Sequence, residues 1–179
     1  MTAAPDPRPL TGEPLALDLL NTRWKQDGDT QDLLTDTDGL TVWLAANGLD
    51  GAYEADAKTL RHLLQARDAL KAAMDGSPEE CAERIDAVLT HGRIQLGLTT
   101  QGPVERPEFN DPSWGPAWLA ARSYLELLST APDRIRGCAS DTCVLHFFDT
   151  SRNGTRRWCS MAACGNRAKA SRHYARSRA

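Results

Sequence analysis

Apolar residues recur at helical spacing over most of the chain before Ala131. From Pro14 to Arg23, Leu15, Leu19 and Leu20 form one stripe with Pro14 in the first turn, which predicts a helix. Lys25 to Thr37 is polar, contains Gly28 and several aspartates, and reads as a loop. Asp36, Thr37 or Asp38 can cap a short helix from Gly39 to Asn47, anchored by Trp43 and Leu44 and stopped by Gly48. A long helix comes next over Tyr53 to Met74, with Leu60, Leu63, Leu64, Leu70 and Met74 on its apolar face. His62 falls off that face and is expected in solvent. Ser77-Pro78-Glu79-Glu80 matches a capping box with proline at the first helical position. Cys81, Ile85, Val88 and Leu89 are the buried face of that helix, and Gly92 ends it.

The period then changes. Ile94, Leu96 and Leu98 alternate with Gln95, Gly97 and Thr99, the pattern of a strand. Gln101-Gly102-Pro103 turns the chain, and Val104 to Arg106 returns as a short hairpin whose edge could serve a homodimer. Ser113 caps a last helix to about Thr130, with Trp114, Ala117, Trp118, Ala121, Leu125 and Leu128 repeating at three and four. Ala131-Pro132-Asp133 breaks the chain and is too short for a free linker, so the carboxy-terminal segment is expected to dock on the body. The expected body, residues 11–133, is mainly α, with Trp43, Leu63, Leu64, Ile85, Trp118 and Leu125 in its core.

Asp18 and Asn21 lie three apart and share a helix face. They could line a pocket for a small-molecule effector. They could equally satisfy backbone groups or cap a neighbouring element, as buried polar residues usually do.

The remaining stretch carries the chemistry. Cys138 with Cys143, and Cys159 with Cys164, form two pairs with four residues inside each and fifteen between them. Four thiolates suit a tetrahedral Zn²⁺, with this spacing at the wide end of structural sites. Val144 to Phe148 is rich in strand formers, Ser151-Arg152-Asn153-Gly154 is a turn, and Thr155 to Trp158 can return as a second strand. A helix is expected from about Ser160 to Arg176. Knuckle, hairpin and helix form the plan of a treble-clef-like or ribbon-like zinc finger over residues 134–179. So few residues build too small a core to stand alone, and one structural Zn²⁺ supplies the deficit. The competing possibilities are two disulfides or merely buried thiols. His146 is a weaker competitor for a ligand position, and Cys81 reads as a core residue.

Cys164-Gly165-Asn166-Arg167, preceded by Arg157-Trp158-Cys159-Ser160-Met161, resembles the CGNR zinc finger of bacterial proteins. Asp149, Ser151, Asn153 and Arg156 match the same pattern. Leu15-Ala16-Leu17-Asp18-Leu19-Leu20-Asn21-Thr22 resembles the opening of the ABATE domain found upstream of such fingers, so the likeness covers nearly the whole chain. The resemblance implies a stress-induced transcription regulator.

Charge separates the two parts. The first 133 residues hold 11 of the 21 basic residues and 22 of the 24 acidic ones, a net −11, whereas residues 134–179 carry +8. An acidic body with a basic tail points to a polyanion as the tail's partner, and the resemblance to transcription regulators implies that it is DNA. The alternative is an interaction module whose finger meets an acidic protein or its own body. Lys169, Arg172 and Arg176 would form one basic helical stripe, with Arg152, Arg156 and Arg157 on the hairpin as further candidate phosphate contacts. Asn166 and Arg167 directly succeed a zinc ligand and are expected to brace the metal site, with Trp158 as its apolar lid. No nucleophile elbow, phosphate loop or His-Glu-x-x-His motif occurs, and four protein ligands leave no open metal position, so no enzyme is expected. No apolar run reaches the ~20 residues of a membrane span. Met1 to Pro9, with three prolines, reads as a disordered lead-in without a targeting signal, and reduced thiols fit a cytoplasmic protein.

Overall fold

The computed structural model describes residues 5–76, 78–167, 169 and 170. The Ser77 end of the capping box, and Arg172 and Arg176 of the basic stripe, lie outside the described residues.

Among the described residues, five helices carry the body: α1 (Leu15–Leu20), α2 (Thr37–Ala46), α3 (Ala57–Asp75), α4 (Pro78–Leu89) and α5 (Gly115–Thr130). Side-chain caps set two of their starts. Asp36 accepts from the amides of Asp38 and Gly39, and Asp56 accepts from that of Thr59. The five helices enclose one core of Leu17, Leu19, Leu40, Trp43, Leu63, Leu70, Ile85, Ala117 and Ala121. Among the described residues no helix is long and apolar enough to cross a membrane.

Several expectations need correction. The polar stretch after α1 is a hairpin, β1 (Arg23–Gln26) against β2 (Asp29–Asp32), not a loop. Asp27 and Gly28 have φ of 52° and 93°, so the Asp-Gly pair makes the positive-φ turn that twists correctly into a two-residue hairpin. That dipeptide is the sequence signal that polarity obscured. Asp32 then receives two bonds from the buried Arg67 guanidinium, at 2.7 and 2.9 Å, and Arg67 also reaches Thr22 at 2.9 Å. Arg67 is thereby drawn inward and lies 7% exposed.

The lead-in is ordered from residue 5 onward. Arg8 lies buried beneath it, bonded to Asp6 and Asp18. On α5 the stripe is rotated from the expected one: Ala117, Trp118, Ala120, Ala121 and Tyr124 are buried, while Leu125 and Leu128 are 42% and 39% exposed. Small residues let α5 approach α1 and α3 closely, which turns the leucines outward. Gly115 opens that helix where any Cβ would strike the Tyr53 ring.

His62, expected in solvent, is 7% exposed. Its ring stacks on Trp114 at 3.9 Å between centroids, and His91 stacks on the same indole at 3.6 Å. Ser113 Oγ lies 3.1 Å from His62 Nδ1. Burial pushes the His62 imidazole below its ordinary 6.5. The unfolded chain therefore takes up this proton first as pH falls. His62 leaves stability intact above about 6.5 and subtracts from it as pH drops through the lower folded value. The melting temperature is expected to fall on acidification below about 6.5, and less steeply in His62→Gln. Equal slopes in the two proteins would contradict this assignment.

The second hairpin, β3 (Gly92–Thr99) with β4 (Gly102–Phe109), is longer than expected and pairs Gly92 with Phe109 through Thr99 with Gly102. Its base packs on Trp118, whose indole donates to the Leu89 carbonyl at 3.0 Å. A third pair, β5 (Ile135–Gly137) with β6 (His146–Phe148), opens the cysteine-bearing segment.

Candidate metal centre and its surroundings

The first cysteine pair lies in the connection between β5 and β6. Cys138 comes directly after β5, and its amide donates to the Leu145 carbonyl at 2.9 Å, closing the loop. The Cys143 amide donates to the Ser140 carbonyl at 2.9 Å, folding the loop back on itself. The second pair flanks a turn over Met161–Gly165 of the wide i→i+5 type, in which the Gly165 amide donates to the Ser160 carbonyl at 3.0 Å. Ser160 Oγ caps it by accepting from the Ala163 amide at 3.0 Å. This widened turn accommodates four residues between Cys159 and Cys164. The helical run continues through Asn166 and Arg167, and again at Lys169 and Ala170.

The expected second strand differs from what is found. No strand forms over 155–158; the partner of β6 is β5, which precedes the first cysteine. The reason is Asp149. Its fully buried carboxylate accepts from the amides of Ser151 and Arg156, both at 2.9 Å, and so pins 150–156 into a closed loop. Gly154, at φ 61°, supplies the left-handed step. Burial raises the Asp149 pKa, but those bonds and the Arg136 charge outweigh it and hold the carboxyl below its usual range.

The four sulfurs converge. All lie within 4.8 Å of one another, with Cys143 to Cys159 at 3.8 Å and Cys159 to Cys164 at 3.6 Å. A tetrahedron with Zn–S bonds of about 2.3 Å has edges near ~3.8 Å. A disulfide needs about 2.05 Å, and all five cysteines are free. Crowded thiols share protons unevenly. Hydrogen bonding from Cys159 pulls the Cys143 thiol down to about 5, while the Cys143 partnership and burial push Cys159 far up. A dication resolves this conflict by letting all four donors deprotonate together. Two more donors aim at sulfur: the Cys159 amide at Cys138 Sγ (3.4 Å) and Arg167 Nη2 at Cys164 Sγ (3.2 Å). The donor set and its spacing fit one structural zinc, and His146 is not part of the cluster.

The basic residues divide by environment. Arg134 donates to the carbonyls of Asp149 and Ser151, and Arg136 to that of Gly154. Arg156 lies 4.3 Å over the Phe147 ring, bonds the carbonyls of Trp158 and Cys159, and approaches Glu13 at 3.7 Å. These three hold the segment together, Arg156 while half-buried. Arg152, Arg157 and Lys169 are exposed, with Arg157 lying 5.3 Å over the Trp158 ring.

Asp18 and Asn21 also have definite partners. The Asp18 carboxylate accepts from Arg8 (2.6 Å), the Gly12 amide (3.1 Å) and Asn47 (3.1 Å). The Asn21 amide group exchanges two bonds of 2.8 Å with the backbone of His146, imitating one rung of a β-ladder. Glu13 adds a second strut by accepting from the Phe148 amide at 2.9 Å. Through α1, therefore, the LDLLNT segment locks the body's amino-terminal clamp and docks β6. A cleft of about 190 Å³ lies at this junction, lined in part by Leu20, Arg67, Lys71, Val144 and His146; neither Asp18 nor Asn21 lines it. Sequence periodicity could not reveal the docking role, because the partner of Asn21 lies 125 residues away.

Comparison with known families agrees with this division. Residues 134–177 match the CGNR zinc finger model, and residues 13–131 match the ABATE model, described as "Putative stress-induced transcription regulator". No curated protein matches the chain. With the ABATE model covering most of its length and four clustered cysteines inside the matched finger, the chain belongs to the ABATE family and carries a CGNR zinc finger with one structural zinc.

Proposed function

We propose that this protein is a DNA-binding transcription regulator whose finger meets the duplex while the helical body stands away from it. The charge division carries this reading: −11 over the first 133 residues against +8 over the rest. Phosphates attract the finger and repel the body, which orients the encounter. Exposed Arg152, Arg157 and Lys169 are the described side chains with freedom to neutralise phosphate. Arg172 and Arg176 continue the helical stripe in sequence from Lys169. Arg167 serves the metal site instead, through its contact with Cys164. The cysteine loop between two paired strands, with a further cysteine in a helical turn beyond it, supports a treble-clef-like plan for residues 134–179.

The test compares wild type with Arg152→Ala/Arg157→Ala/Lys169→Ala on genomic DNA fragments, with zinc content measured in both. The variant is expected to keep its metal and lose about tenfold or more in affinity. Its salt slope should be shallower by about one unit per removed phosphate contact. Unchanged affinity and slope would remove these residues from the interface. Failure of wild type to bind any fragment, with an acidic protein recovered instead, would favour a protein-interaction module.

A further inference from the structure

The hairpin β3–β4 has two unlike edges. The Asn110 amide donates to the His91 carbonyl at 3.0 Å, so the bonded rungs of the ladder fall at Arg93/Glu108, Gln95/Arg106 and Gly97/Val104. Ile94, Leu96 and Leu98 sit opposite Pro107, Glu105 and Pro103 at the alternating non-bonded rungs. Backbone groups at those rungs point away from the partner strand. On β4 the outward positions 103 and 107 are prolines, which have no N–H to offer, so that edge is closed to further pairing. On β3 the outward amides and carbonyls of Ile94, Leu96 and Leu98 have no neighbouring strand among the described residues.

The open edge is also the apolar one. Leu96 and Leu98 are 76% and 84% exposed, the highest values among the exposed large hydrophobic side chains. Glu105 shares their face and pairs with Arg122 of α5 at 2.7 Å, which aims the face along the flank where Leu125 is exposed. A surface of this kind invites addition of a strand.

We propose that β3 pairs antiparallel with β3 of a second copy, about a two-fold axis at Leu96, to form a four-stranded sheet. The register is self-complementary. Leu96 meets Leu96, Ile94 meets Leu98, Gln95 meets Gly97, and Arg93 meets Thr99. All outward amides and carbonyls of the three aliphatic residues are then satisfied between copies. Charge agrees: β3 has no acidic residue, and its single cation, Arg93, is held by Glu108 at 2.7 Å within its own hairpin, so no like charges oppose each other. The two-fold gathers Ile94, Leu96 and Leu98 of both copies on one face. One strand pairing and six aliphatic side chains make a small interface, of the weak and transient class. It does not depend on whether the finger binds DNA.

Sedimentation velocity on the zinc-loaded full chain, over a series reaching several hundred micromolar, tests this. Wild type is expected to pass from monomer to dimer. Leu96→Glu sets two carboxylates against each other on the axis, and Leu96→Pro removes an outward N–H from a rung that makes no backbone bond within the hairpin. Each variant should raise the dissociation constant by about tenfold or more, because the symmetry counts every substitution twice. Helical circular dichroism should be unchanged in both, which shows that each variant is folded. A wild type that stays monomeric throughout, or a folded Leu96→Pro that dimerises as wild type does, overturns the proposal.

Discussion

Stripping zinc from the native protein is expected to unfold the segment after Ile135 and leave the helical body standing. The segment's own apolar content is small: among the described residues, Leu145 and Phe147, with Cys159 and Cys164, are its buried apolar side chains. The short β5–β6 pairing and the Asp149 loop cannot offset the ordering of residues 136–167 at ~1–2 kcal/mol each of backbone entropy. Structural zinc contributes on the order of 10–16 kcal/mol in small fingers near neutral pH, which makes it the dominant stabilising term here. The body differs because Leu17, Trp43, Leu63 and Leu70 lie on helices α1, α2 and α3, none of which carries a zinc ligand. Cys159→Ser should lower bound zinc from one per chain to near none, since Cys159 is buried among the other three sulfurs and has no substitute within reach. Limited proteolysis should then cut beyond Ile135 while most helical circular dichroism persists. Acid should act in the same direction, because protons compete with metal for thiolate. A metal-free protein as protease-resistant as the native one would contradict the account.

The second large effect is expected at Asp18. Its carboxylate faces Arg8, whose side chain has no exposed surface, and it also holds the Gly12 amide and Asn47. Asp18→Ala takes from a buried guanidinium the closer of its two carboxylates, leaving it Asp6, and orphans the Gly12 amide and the Asn47 side chain. Breaking one side of a buried ion pair costs about 3–5 kcal/mol, a large part of the ~5–15 kcal/mol that holds a typical domain. For a chain of this size the melting temperature should fall by roughly 10 °C. Asp18→Asn keeps an acceptor and should lose less. Combining Asp18→Ala with Arg8→Met removes the stranded charge and should recover part of the loss, a coupling that a double-mutant cycle measures. A fall of only a degree or two in Asp18→Ala would show that Arg8 finds other acceptors and that the clamp is dispensable.

What was legible in the sequence depended on the range of the interaction. Helix periodicity, the β3–β4 alternation and the two cysteine pairs are local patterns, and each places its element or its ligands. Cross-chain partners are not local. Arg67 turns inward because Asp32 lies on a hairpin that its polar composition disguised. His62 turns inward because Trp114, distant in sequence, slots between it and His91. Leu125 turns outward because alanines, not leucines, allow α5 to approach α1 and α3. In the finger, strand propensity over 155–158 loses to a single buried carboxylate, Asp149, whose amide contacts close a loop there. Asn21 was equally opaque: one side chain closes a backbone rung across the body–finger junction.

The central claim is that zinc organises a basic finger for DNA while an acidic body is held off. The most direct measurement is the equilibrium affinity of the native, zinc-loaded protein for duplex DNA across a salt series, repeated after chelation. Exposed Arg152, Arg157 and Lys169 alone predict a slope of log affinity against log salt of about −3, steepened by any further cations of the tail. Chelation should abolish that binding, since the cations lose their fixed arrangement when the metal leaves. Absence of binding at low salt, or a slope and affinity that survive chelation unchanged, would contradict the account.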